Sequence, residues 1–420
     1  MTAQVELMEK ILTGTVVLDL TRYFSGPQAT LFLAGLGAEV IKIDDPATGD
    51  PTTFSPPFAG PAGVSFRRET PADMGIAYLK RARGKKSVGL NLKDPEGRAA
   101  FMKLVQSADV VIDNFSAGVA DRLGIGYEAL REANPAIIHC ALTGYGSTGP
   151  ERHLKAYDLM VQAAVGMMSI TGQPDAPPAK AGSPISDAIA GTFAATGILA
   201  ALLHRNRTGV GQSVDVSMAD CLFALMFDEP LDCYESLGLP LRQGNRIMRF
   251  SPFNAYRTRD GWVVAGAATQ DDWSALLRVM DREDLAADAQ MGSLSWRLAN
   301  NAAVDSLMSD WAARLDSAEV LRRLNDAKVP CSPVREIGDV MQWQQLRDRD
   351  MMTPLWNPLA QAAVAAQGPG FPIKFSASKA AYDAPAPLPG QHSREVLMAL
   401  GGFRASDVDD LARRGIISGA

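Results

Sequence analysis

Short apolar runs alternate with longer amphipathic stretches along the first half of the chain. Residues 15–20 (TVVLDL), 39–43 (EVIKI), 87–92 (SVGLNL), 109–113 (DVVID), 136–141 (AIIHCA) and 212–216 (QSVDV) are rich in β-branched residues. Each has the length and the near-continuous apolar character of a strand buried on both faces. Between them the periodicity is helical. One helix opens at Ser25-Gly-Pro and ends near Gly35 to Gly37, and another starts at Asp94-Pro-Glu. The second opening has a capping Asp, a Pro in the first turn and an acidic residue at the positive helix end. A third, long helix spans residues 187–208. Strands separated by helices predict an α/β fold with a parallel sheet covered on both faces.

The pattern breaks twice. Residues 46–69 are rich in Pro, Gly, Thr and Phe without periodicity, which predicts a long loop of functional kind. From about Gly244 the grammar becomes α+β: residues 252–258, the Asp260-Gly261 turn and residues 262–265 form a hairpin signature. Helices follow over 271–280 and 304–327, and the tail returns to loop before a helix over 395–400 that opens after PGQHS. The expected division is 1–229 for the first part of a large domain, 230–335 for a smaller α+β domain, and 336–420 for the return to the large domain.

Charge and composition remove several function classes. The 420 residues carry 41 basic and 47 acidic side chains, a net charge of -6, which argues against a nucleic-acid partner. The four cysteines, Cys140, Cys221, Cys233 and Cys331, are scattered without a CxxC pair. They form neither a disulfide framework nor a zinc motif, so a reducing, cytoplasmic location and no metal are expected. The start, MTAQVELMEKILTG, carries Glu6 and Glu9 and reads as no secretory signal. The most apolar segment, 188–203, is about 16 residues long, short of a bilayer span, and reads as a core helix rather than a membrane segment.

The candidate chemistry is sparse. The turn after the first strand reads RYFSGPQ, with neither GxGxxG nor GxxxxGK[ST], which disfavours a nicotinamide oxidoreductase or a P-loop enzyme. Asp187 stands at the start of the long helix. Taken alone it reads first as a helix cap; the second reading is a carboxylate kept ionised by the helix start and available as a nucleophile. Lys42, Arg83, Lys86, Arg122 and Lys155 each read individually as solvated surface, but several lie at or near predicted strand ends, where a doubly wound sheet binds ligands. His139, inside an apolar run, reads as a core residue, and no histidine has a Ser or Cys partner that would make a triad.

Taken in order, the runs LDLTRYFSGPQATLFLAGLGAEVIKID, RGKKSVGLNL, DVVIDNFSAGVADRLGIGYEAL, NPAIIHCALTGYG, KAYDLMVQAAVGMMSITG, GILAALLHRNRTGVGQSVDVSM and the tail GQHSREVL resemble the class III CoA-transferase family, which includes formyl-CoA transferase, carnitine CoA-transferase and α-methylacyl-CoA racemase. The resemblance implies a Rossmann-like large domain, an inserted small domain and an interlocked homodimer. It implies Asp187, 30 residues after Tyr157, as the catalytic nucleophile. It places Arg122, Lys155 and Tyr157 on coenzyme A, with Lys42, Arg83 and Lys86 towards its adenine-phosphate end. The acyl-CoA is then a substrate, and no permanently bound cofactor is expected.

Two departures narrow the activity. The racemase branch has a His where this chain has Tyr157, and a phenol with an ordinary pKa of about 10 is a poor base. The formyl-CoA transferase branch has a glycine run where this chain reads QGNRIMRFSPF, and Gln where it has Phe24. The expected function is transfer of CoA from an acyl-CoA donor, succinyl-CoA among the candidates, to a carboxylic acid through an aspartyl anhydride and an aspartyl-CoA thioester. Racemisation of an α-branched acyl-CoA and non-catalytic CoA binding are the alternatives. Arg67, Arg68, Arg246 and Arg249 are the expected partners for a second carboxylate on the acceptor.

Overall fold

The computed structural model of the protein describes residues 9–419; the start of the opening segment, read above as no secretory signal, lies outside them. The chain divides into two compact units. The larger takes the chain up to Val165, then Gly182–Asp228, then everything from Gln344 onward. The smaller takes Gly166–Ala181 and Glu229–Trp343.

In the larger unit the buried apolar runs become β1 (Val16–Asp19), β2 (Glu39–Asp44), β3 (Lys85–Leu90), β4 (Val110–Asp113), β5 (Ile138–Thr143) and β6 (Ser213–Ser217). They pair in the order β3-β2-β1-β4-β5-β6, all parallel. The two-residue strand Ile417–Ser418 adds antiparallel to β3 at one edge. This is a doubly wound sheet, and the chain reverses direction between β1 and β4. A crevice opens there beyond the strands' carboxyl ends. One sheet face is closed by α1 (Ser25–Gly35) and α2 (Ile185–Thr208). The other is closed by helices Pro95–Val105, Ser393–Ala399 and Ala405–Arg413, whose Phe101, Leu104, Val396, Leu397 and Val408 pack on Leu18, Ile41, Val88 and Val111.

The helix over Pro95–Val105 starts as its sequence predicts: the Asp94 carboxylate accepts from the N–H groups of Glu96 and Gly97. The long helix α2 is long and apolar enough by composition to cross a membrane, but Ala190, Ala194, Ile198 and Ala201 are buried in the unit's core. Its packing against α1 is close because Gly191 has no side chain. A Cβ there would stand 2.5 Å from the Ser25 carbonyl oxygen.

The structure corrects the sequence reading at several places. The stretch 46–69 is not all loop: it holds a short 3-10 turn, Pro51–Phe54, and strands Phe58–Gly60 and Gly63–Ser65, which with Met74–Gly75 form a three-stranded sheet. Strands of three residues are too short to show alternation. The tail contains an antiparallel hairpin, Met352–Asn357 with Ala362–Pro369, where loop was expected. In the smaller unit the hairpin Phe253–Arg257 with Trp262–Gly266 pairs antiparallel, joined by Cys331–Pro333. The expected helix 304–327 is two helices, Asn301–Ala312 and Ser317–Asp326. The break falls at Asp316, which Arg259 holds at 2.7 Å. The domain division of the sequence reading lacks residues 166–181. They join the smaller unit because Gly244 N–H donates to Gly172 O and Arg242 donates to Pro174 O.

Candidate active site

The turn after β1 and the starts of α1 and α2 meet at the crevice. Tyr23 adopts φ of +69°, a left-handed conformation that is costly for a bulky residue and concentrates at functional turns. The sharp turn feeds Phe24 and Ser25 directly into the first turn of α1. Gly26 permits the tight fold-back, since a Cβ there would overlap the Thr21 side chain at 2.3 Å.

Asp187 is the third residue of α2, within its first turn rather than a cap before it; the N-cap position belongs to Pro184. The Asp187 carboxylate accepts hydrogen bonds from the hydroxyl and the backbone N–H of Ser25. It therefore stands at the positive starts of two helices at once, its own and α1. The capping is done by Asp158, whose Oδ1 accepts from Ser186 N–H at 2.8 Å, from Ser186 Oγ at 2.6 Å and from Asp187 N–H at 3.3 Å. Burial, followed by the nearby charge of Asp158, pushes the Asp187 carboxyl up to about 6. Its hydrogen bonds to Ser25 and the neighbouring Arg81 pull the other way and only partly compensate. The result is a carboxylate that is ionised at neutral pH yet poorly solvated, the condition that makes an oxygen nucleophile reactive.

Asp187 lines a cleft of about 270 Å³ together with Tyr23, Phe24, Asn114, Lys155 and Tyr157. Tyr157 is 61% exposed and meets Tyr23 edge to face at 6.3 Å. Lys155 is exposed and carries no ion pair among the described residues. A roomier cleft of about 410 Å³, bordered by Phe371, Lys374, Lys379 and Tyr382, lacks Asp187 and lies away from the sheet's reversal point. Chemistry rather than size selects the smaller one.

The six expected coenzyme A contacts separate. Lys155 and Tyr157 share the cleft with Asp187. Arg122 is exposed and ends the one-turn helix that follows Ser116 and Ala117 on the cleft wall; its own side chain is not part of the lining. The other three are committed elsewhere. Lys42 is 1% exposed, held by Asp50 at 2.9 Å and Asp44 at 3.3 Å, and donates to Thr21 O. A buried cation must have fixed counter-charges, and these ones consume it. Arg83 is buried, donates to Lys80 O and Pro369 O, and stacks on Tyr382 at 4.6 Å. Lys86 bridges Glu39 at 2.7 Å and Glu395 at 2.6 Å.

Three of the four arginines expected to hold a second carboxylate are also engaged. Arg68 stacks on Phe54 and donates to Pro71 O; Arg246 pairs with Asp305 at 2.7 Å, and Arg249 pairs with Glu229. Arg67 is exposed. His139 is a core residue as expected, bonded to Asp113 at 2.8 Å. Sequence reasoning missed Asp158, Ser25 and Arg81. The first adjoins Tyr157 in the quoted run and the second opens α1, so a signal existed for both. Among the described residues no group of three His, Cys, Asp or Glu side chains is arranged to hold a metal ion.

The sequence matches the family model for CoA-transferase family III over residues 12–393. It is 38% identical to the succinyl-CoA:mesaconate CoA-transferase of Haloarcula hispanica, covering 91% of this chain and 94% of that relative. It is 32% identical to the succinate–glutarate CoA-transferase of Agrobacterium fabrum, covering 93% and 95%. Among solved structures, a CAIB/BAIF family protein from Brucella suis superposes with a TM-score of 0.79 at 30% identity, covering 93% of this chain and all of that one. With its parallel-rich α/β sheet and a match across nearly its whole length, the chain belongs to CoA-transferase family III and is a CoA-transferase acting on acyl-CoA substrates.

Proposed function

We propose that this enzyme moves CoA from succinyl-CoA to a dicarboxylic acid, with Asp187 as the covalent nucleophile. The observation that carries the reading is the half-buried Asp187 carboxylate, raised to about 6, facing the cleft at the sheet's reversal point. The choice of substrates is supported by relatives whose names pair succinyl-CoA or succinate with mesaconate and glutarate.

In the first step an Asp187 oxygen attacks the thioester carbonyl, the C–S bond breaks and CoA leaves as the thiolate. The product is a mixed anhydride. The thiolate then attacks the Asp187 carbonyl, which releases the donor acid as a carboxylate and leaves an aspartyl-CoA thioester. The acceptor carboxylate attacks that thioester and expels the thiolate again. A last attack by the thiolate on the acceptor's carbonyl gives the new acyl-CoA and regenerates the Asp187 carboxylate. No proton is lost overall, and the thioester's free energy is conserved through both anhydrides. Asp158 occupies the first N–H groups of α2. The tetrahedral oxyanions therefore fall to the α1 side, where Gly26 N–H has no acceptor within its own helix. Lys155 serves the coenzyme's phosphates, with Arg122 beyond the cleft wall. The same reading has the chain act as a cytoplasmic homodimer; its four free cysteines are compatible with a reducing compartment.

Incubation with succinyl-CoA and no acceptor, then hydroxylamine or borohydride, should modify Asp187 alone on peptide mapping. A label on a cysteine or serine, or α-proton exchange in deuterated water without any acid acceptor, would overturn the mechanism.

A further inference from the structure

Arg81 ends the short helix Ile76–Arg81, and nothing in the sequence singles it out. Its guanidinium lies 4.4 Å over the ring of Phe24, a residue of the Asp187 cleft. Among the described residues it makes no hydrogen bond and no ion pair, and its Nε is buried without an acceptor. Two carboxylates are close enough to act on it electrostatically, Asp50 and Asp187. Asp50 is engaged elsewhere, since it accepts from Lys42 at 2.9 Å, from Thr52 N–H at 2.8 Å and from Thr52 Oγ1 at 2.7 Å. Asp187 is turned to Ser25 and stands beyond ion-pair distance of Arg81.

A largely buried cation without a direct partner is an unfavourable arrangement, and it becomes favourable when an anion arrives. The position of Arg81 defines that anion. A substrate whose reacting carbonyl rests on Asp187 cannot also place that carbonyl on a guanidinium outside contact distance. It can place a second group there, a few bonds further along its chain. Arg81 reaches the Asp187 cleft through Phe24 and is not itself on its lining; a planar guanidinium that is stacked on an aromatic ring and has no hydrogen-bond partner among the described residues matches a carboxylate in bidentate fashion.

We propose that Arg81, stacked on Phe24, binds the non-reacting carboxylate of a dicarboxylic acyl group and so selects diacids over monoacids of equal length. This rests on the reading of Asp187 as the nucleophile. It adds the residue that chooses the acid. No bond to Arg81 is made or broken; it holds one end of the substrate while the other end reacts.

The test compares acids of matched length, glutarate with pentanoate and succinate with butyrate, on the full-length enzyme and on Arg81→Met and Arg81→Lys. Calorimetric binding in the presence of CoA is one readout and KM for the acceptor is the other. Arg81→Met should weaken the diacids by about tenfold to a hundredfold, the range for a charge-assisted contact, beyond whatever smaller effect it has on the monoacids. Arg81→Lys should recover part of the loss, and it decides the matter if Arg81→Met does not fold. Equal weakening of diacids and monoacids would make Arg81 a mere support for Phe24 and would overturn the proposal. So would native enzyme that does not prefer diacids, or variants that keep the preference. An enzyme that binds diacids through Arg81 yet never labels Asp187 would instead overturn the mechanism under Proposed function and leave this inference standing.

Discussion

Replacing Asp187 with Asn separates a structural cap from a catalytic carboxylate, because the two readings predict opposite effects on stability. Asn approximates the protonated carboxyl and can still accept from Ser25. In the native protein the Asp187 carboxyl is raised from 3.8 to about 6. Below pH 3.8 the group is protonated folded and unfolded, and it contributes no difference. As pH rises from 3.8 to 6 the unfolded chain releases its proton first, so the fold loses stability; above 6 the loss is complete. A shift of about 2 units at about 1.4 kcal/mol each makes this cost about 3 kcal/mol at neutral pH. Asp187→Asn should therefore melt several degrees above the native protein at pH 7.5 and alike at pH 3.5, while CoA transfer falls to background. Thermal melts at the two pH values, read beside a turnover assay, test this. Were Asp187 instead a stabilising charge at the helix start, the Asn variant would lose that charge and melt lower at pH 7.5, by an amount worth up to about 1 kcal/mol. That result, or near-native turnover, would refute the assignment.

Two further substitutions test how the site is built. Gly191→Ala puts a Cβ 2.5 Å from Ser25 O and should drive α1 from α2, lowering kcat by about tenfold or more with little change in KM for the acyl-CoA; unchanged kcat would show that the Ser25–Asp187 contact tolerates displacement. Lys155→Ala should raise KM for the acyl-CoA by about tenfold and flatten its salt dependence, as expected for loss of one charge-assisted phosphate contact; unchanged donor kinetics at low salt would remove Lys155 from the coenzyme site.

The doubly wound sheet was legible because its central strands are buried on both faces, so their sequences are nearly unbroken apolar runs that cannot be confused with the helices between, while the edge strand Ser213–Ser217 is partly exposed. The cap at Asp94 was legible because capping is local. What escaped was non-local. Lys85 and Lys86 are adjacent in sequence, but the strand's two-residue period sends Lys85 inward to Asp19 at 3.0 Å and Lys86 outward to Glu39 and Glu395. Lys42 likewise looked like a ligand cation at a strand end. Its partners Asp44 and Asp50 lie on either side of a turn whose course the sequence does not specify. Cations near strand ends are thus ambiguous until their counter-charges are located.

The same limit explains why Asp187 was legible as a position and not as an environment. Its place near the start of a long apolar helix, 30 residues after Tyr157, is a matter of spacing. Its raised pKa arises from packing: α2 against α1 through Gly191, which buries the carboxylate although Ser25 there offsets part of the shift, and Asp158 folded back from another helix onto the first N–H groups of α2. Asp158 does two things that oppose each other. It satisfies the helix start, which stabilises α2, and it sets a like charge beside Asp187, which raises the carboxyl and destabilises the ionised fold. A sequence optimised for stability alone would cap α2 with a neutral Ser or Asn on the helix itself. An acidic cap from a distant helix, next to a buried carboxylate, costs stability at neutral pH. The gain is a less solvated, more basic oxygen facing the cleft, a gain with value only if that oxygen reacts.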